Sequence, residues 1–187
     1  PDGSEAVVCL NGEDALREML YQKKLYTAPW GKLYTHALWE SHRFPQGRLF
    51  EDLGSVYQTF LECDRCVISN ARKYFYFQRP NSIETSSFSP RKLDILDMIS
   101  QLRADVMPVY PGLERAINSR EFSAILHIFL QMPEDTFTEE KEAMWSRVQF
   151  LRFGVLCDGK ARLKNRAAAA LSYLGRKAIL TVGKSIV

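Results

Sequence analysis

Apolar residues recur at spacings of three and four through the second half of the chain. Leu93, Leu96, Ile99 and Leu102 mark an amphipathic helix over about 90–107. A second helix, about 111–132, is bounded by Pro111 and Pro133. Met144, Val148, Leu151 and Val155 mark a third over 138–157, stopped by Asp158-Gly159. Leu163, Ala167, Leu171, Leu174, Ala178 and Val182 mark a fourth over 161–182, expected to pack through its leucines with its bases in solvent. Ser89-Pro90 opens the series, a Ser cap with Pro at the first helical position. These stripes seek a common core, as a helical carboxyl-terminal domain over 89–187.

The pattern before residue 88 is mixed. Asn11 caps a helix with Glu13 and Asp14 in its first turn, carried by Leu16, Met19 and Leu20 to about Gln22. Pro29-Trp30-Gly31 breaks the chain. Lys32-Leu33-Tyr34 reads as short and extended, and Thr35 caps a short helix to about His42. Phe44-Pro45-Gln46-Gly47 is a turn. From Phe50 to Cys63 the spacing is helical again, with Leu53, Val56, Tyr57, Phe60 and Leu61 on one face. Cys66–Ser69 and Arg72–Phe77 are rich in β-branched and aromatic residues and are expected to pair as a hairpin. A polar loop follows to Ser89. The fold class is therefore α+β, mostly helical: a small hairpin or mixed sheet with helices over 1–88, then the helical bundle.

Composition narrows the classes. The chain has 187 residues, 46% apolar and 25% charged, which excludes collagen-like, low-complexity and wholly disordered readings. Its longest uncharged run, Phe122 to Pro133, is too short for a membrane span. No signal peptide is read at the start, and the missing initial Met suggests a piece of something longer. The net charge of +3 hides an asymmetry: residues 159–187 hold seven Lys or Arg and no acid. Such an end is either a solvated helix face or a weak contact with an anionic membrane surface. No fold signature interleaves bases with aromatics, so nucleic acid is not an expected partner. Cys63-Asp-Arg-Cys66 has CxxC spacing but no second ligand pair, which favours reduced structural thiols in a cytoplasmic setting.

The stretch with chemistry in it is Phe44-Pro45-Gln46-Gly47-Arg48-Leu49-Phe50-Glu51-Asp52. Two acids opening a helix satisfy free N–H groups and the helix dipole. Alternatively, one carboxylate faces a cleft and takes a proton from a nucleophile.

Three stretches in order, Trp30-Gly31-Lys32-Leu33-Tyr34, Phe44–Asp52 and Tyr74-Phe75-Tyr76-Phe77-Gln78-Arg79-Pro80-Asn81-Ser82-Ile83, resemble the second half of bacterial family 2 glycosyltransferases of the GT-A type. The resemblance covers about residues 10–90. It implies transfer of a sugar from a nucleotide-sugar donor to a glycan or lipid-linked acceptor hydroxyl with inversion, in polysaccharide or cell-wall glycan synthesis. Asp52 then matches the catalytic base, with Glu51 positioning it or holding the helix. Arg79 is a clamp for the departing diphosphate, and Trp30, Lys32 and Ser82 contact substrate. Gln78 and Arg79 vary from the family's pattern, which leaves their roles open. Asp52 and Arg79 are expected to face one cleft. The family's divalent metal, Mg or Mn, is held by a D-x-D motif upstream of these stretches. No D-x-D precedes them here, so no metal is expected on this chain, which reads as a carboxyl-terminal portion inactive alone. The alternatives are a non-catalytic helical module that docks a partner or a second copy of itself, or a peripheral membrane module at the inner face.

Overall fold

The computed structural model describes residues 6–71, 73–77, 87–133 and 135–182. It is α+β and mostly helical, with seven α-helices and a two-stranded antiparallel sheet among those residues. The sheet joins β1 (Val7–Leu10) to β2 (Cys66–Ser69), in a register running from Val7 opposite Ser69 to Leu10 opposite Cys66. Asn70 closes the ladder, its Oδ1 accepting from the Ala6 amide at 3.0 Å.

The hairpin expected between Cys66–Ser69 and Arg72–Phe77 does not form. β2 takes β1 as its partner, and Lys73–Phe77 has no ladder. Tyr74 and Tyr76 instead place their rings against Trp30 (see below). Aromatic residues suit a strand because they pack well on a half-buried surface; here the packing partner is an indole on a loop.

Helix α1 (Gly12–Leu20) starts where its cap predicts, with the Asp14 amide donating to Asn11 Oδ1 at 2.8 Å. Helix α2 (Val56–Glu62) begins later than the spacing from Phe50 suggests. Phe50 has a left-handed backbone (φ 59°), so residues 51–55 turn irregularly before the helix settles. Thr35 precedes a single 3₁₀ turn, His36–Trp39.

The second half follows the hydrophobic spacing closely. It comprises α3 (Asp94–Val109), α4 (Glu114–Phe129), α5 (Thr138–Cys157), α6 (Leu163–Leu171) and α7 (Arg176–Val182). Two departures matter. The segment 161–182 is not one helix: Gly175, at φ 97°, breaks it after a 3₁₀ turn over Ser172–Leu174. It also packs through small residues together with only some of its leucines, Leu171 and Leu180. Ala168 and Ala169 are fully buried, whereas Leu163 and Leu174 are about three-quarters exposed. Alanine lets α6 approach α5 closely. Lys164 and Lys177 stand exposed as expected, whereas Arg166 Nε donates to Leu156 O at 3.1 Å and Arg176 pairs with Glu142.

Helix α4 is central. It is buried on nearly all sides, polar residues included, because it packs against α1, α3, α5 and α6. Buried side chains on both sides of residue 88 form one core, with Leu16, Leu20 and Tyr57 joining Ile99, Leu102, Ile117 and Phe122. A buried hydrogen bond of 2.6 Å from Tyr21 Oη to Asp158 Oδ2 ties the end of α1 to the end of α5. Helices α1 and α2 approach at Gly12, where a Cβ would collide with the carbonyl oxygens of Phe60 and Cys63. Both obstacles are backbone, so Gly12→Ala is expected to lower stability by about 1–3 kcal/mol, as overpacking does. Urea denaturation checks it; an unchanged midpoint would contradict this packing.

Candidate functional site

Asp52 sits at the end of a tightly held turn. Gly47 (φ 71°) and Phe50 (φ 59°) both take left-handed backbone, and a non-glycine residue there is strained. The turn is fastened to the start of α3. Arg48 Nε lies 2.8 Å from Asp94 Oδ1, its Nη2 lies 2.5 Å from Asp97 Oδ2, and the Leu49 amide donates to Asp94 Oδ2 at 2.9 Å. These contacts hold in place a backbone that local preference disfavours.

The half-buried Asp52 carboxylate accepts from Thr27 Oγ1 at 3.2 Å and from the Leu53 amide at 2.7 Å. Its backbone oxygen accepts from the Val56 amide at 3.0 Å, the first bond of α2. Positioning of Asp52 therefore falls to Thr27, while Glu51 stands exposed at the surface. Thr27 is buried and lies just before Pro29-Trp30, so the loop that carries Trp30 and Lys32 is anchored on Asp52. No local sequence signal marks Thr27, because the contact spans 25 residues.

Lys32 lies on that loop, within the field of the same carboxylate. Burial pushes its ammonium below its ordinary range, and the charge of Asp52 works against that. Its Nζ donates to the Ala28 carbonyl. Trp30 is not a core residue: it is 42% exposed. Its ring lies 4.5 Å from that of Tyr76, at 11°, and 5.1 Å from that of Tyr74, at 13°. Trp30 thus stacks with two tyrosine rings beside the loop of Lys32. Arg79 and Ser82 lie outside the described residues, and with them the expected shared cleft of Asp52 and Arg79.

Two further cations lie on and beside α4, and the field of Asp52 reaches one of them, Arg120. Arg120 of α4 is buried, which pushes its guanidinium down to about 10; Asp52 works against that shift and Arg162 adds to it. Arg162 stands just before α6, and its Nη2 donates to Ser123 Oγ at 3.0 Å. Periodicity placed Arg120 on a helix, but its significance depends on α4 being central.

Other polar clusters are structural. In a separate groove between α3, α4 and α5, Glu121 takes hydrogen bonds from both Arg103 and Arg147, which occupy its two oxygens. Cys63 and Cys66 are free thiols whose ionisation burial pushes up. Among the described residues, no group of three or more His, Cys, Asp or Glu could hold a metal ion. No described helix is long and apolar enough to cross a membrane.

No family model, curated protein or solved structure matches the chain.

Proposed function

We propose that this chain is the carboxyl-terminal part of an inverting glycosyltransferase, in which Asp52 is the base that activates an acceptor hydroxyl. The observation that carries the reading is the setting of Asp52. It is a half-buried carboxylate on a strained, fastened turn, oriented by Thr27 and set beside Lys32 on the Trp30 loop.

In such a reaction the acceptor oxygen attacks the anomeric carbon while its proton passes to Asp52. The bond from that carbon to the donor's diphosphate breaks, and the electron pair leaves with the diphosphate. Held geometry supplies much of the acceleration, which suits a carboxylate locked by two hydrogen bonds rather than one on a mobile loop. Lys32 lends positive charge close to the base. The partly exposed stack of Trp30 with Tyr74 and Tyr76 suits the apolar face of a sugar ring. Donor binding and any divalent metal belong to the upstream half, and no step here is routed through a metal.

Incubating the full-length protein with a panel of nucleotide-sugars, and measuring nucleoside diphosphate release with and without glycan acceptors, tests the reading. Acceptor-stimulated release from one donor is the expected result. Trp30→Ala should raise the KM for a glycan acceptor by about five- to tenfold with a smaller change in kcat, the size of one lost aromatic stacking contact. An unchanged acceptor KM would remove Trp30 from the acceptor site.

A further inference from the structure

The face of α4 near Asp52 carries a polar stripe. Arg120, Ser123 and His127 recur at helical spacing, and Gln131 continues the row just past the helix end. Arg162 bonds Ser123, Asn165 Nδ2 donates to Ser119 Oγ at 3.3 Å, and Lys92 Nζ donates to Gln131 Oε1 at 2.7 Å. Partial desolvation holds the exposed His127 below the ordinary histidine range, and the charges of Lys92, Arg120 and Lys164 push it the same way. Cations from three elements thus converge on one strip.

Two of them lack the partners that burial demands. Arg120 is only 9% exposed, yet its Nε has no hydrogen-bond partner. The Nε of the half-buried Arg162 has none either. Among the described residues neither guanidinium forms an ion pair with a carboxylate, and Asp52 is the acid whose field reaches Arg120. Taking a guanidinium out of water without a counter-charge is costly. Helix α6 begins at the same place, with no side-chain cap and no acid in its first turn, so its free N–H groups add to the positive end.

We infer that Arg120, Arg162 and the first turn of α6 form a binding site for a phosphoryl group. Two guanidinium forks and a helix start offer more donors than one carboxylate can accept, which favours a tetrahedral phosphate oxyanion. The site stands independently of the transferase reading.

Calorimetric titration of the full-length protein with glycerol 3-phosphate, with neutral glycerol, and with uridine diphosphate tests the site. Glycerol 3-phosphate is expected to bind and glycerol is not. Arg162→Gln and Arg120→Gln should each weaken glycerol 3-phosphate at least about tenfold, the cost of leaving one charged partner unpaired. Uridine diphosphate, bound elsewhere, should change by less than about twofold. Asp52→Asn removes a neighbouring negative charge and should keep or tighten glycerol 3-phosphate. Arg120 is buried and its replacement strains the fold, so Arg162→Gln decides, with its circular dichroism checked against the wild type. Failure of glycerol 3-phosphate to bind, equal binding by Arg162→Gln, or a parallel loss of uridine diphosphate would each overturn the site. Sugar transfer without arginine-dependent phosphate binding overturns the site and leaves the transferase reading intact. Arginine-dependent binding without sugar transfer supports the site and overturns that reading.

Discussion

Asp52→Asn should abolish sugar transfer by the full-length protein while leaving its fold in place. Asparagine keeps the size and the carbonyl acceptor. The Leu53 amide can still donate to Oδ1, and the new Nδ2 can donate to Thr27 Oγ1 with the direction of that bond reversed, so the Phe50 turn that Arg48 fastens to α3 persists. What is lost is the lone pair that takes the acceptor's proton. A positioned base contributes about 10²–10⁴ in rate, so kcat should fall by that factor with little change in donor KM. Thermal unfolding should shift only slightly. Near-normal turnover by a folded Asp52→Asn protein would remove Asp52 from the base role. Asp52→Ala is the less informative variant, because it also frees Thr27 and loosens the turn.

The second large effect is on stability. Glu121 lies on central helix α4 with its side chain 10% exposed, and both Arg103 and Arg147 bond to it. Burial alone would raise its pKa, but the hydrogen bonds and charges of Arg147 and Arg103 outweigh that and hold the carboxyl below the usual carboxylate range. Glu121→Gln leaves two guanidiniums facing a neutral amide. Breaking a buried pair costs about 3–5 kcal/mol, and the partial exposure of Arg147 places the expected loss near the lower end. The pH dependence has a definite sign. A carboxyl with a depressed folded pKa stabilises fully above its unfolded pKa, and that stability disappears as pH falls through the folded value. The gap between wild type and Glu121→Gln should therefore be widest near neutral pH and close in acid. Urea denaturation across that pH range checks both statements; equal stability at neutral pH would show the triad to be dispensable.

Local features of the sequence were the ones that carried through to structure. Asn11 caps α1 by a bond to the Asp14 amide, which needs only neighbouring residues. Helix α5 spans Thr138–Cys157 because a long apolar stripe ends at Asp158-Gly159. Features set by distant partners were not legible. β1 is a short run of Val7, Val8, Cys9 and Leu10 whose partner lies some sixty residues away, and the aromatic run after β2 looked like the nearer match. The leucines of 161–182 marked a stripe, yet alanine faces the core because close helix approach outweighed side-chain size there. Glu51 and Asp52 were visible as a pair, but only the fold separates an exposed carboxylate from one held by Thr27. Arg120 looked like an ordinary helix base until α4 proved central, and Arg162 looked like part of a solvated tail.

The central claim is that Asp52 serves an inverting transfer to a hydroxyl, and the stereochemistry of the product tests it most directly. The full-length protein would be given each candidate nucleotide-sugar with its acceptor, and the anomeric proton of the new linkage read by NMR against that of the donor. A product of opposite anomeric configuration, formed by the wild type and absent with Asp52→Asn, is the predicted result. Retained configuration, or inverted product from both proteins alike, would contradict the account.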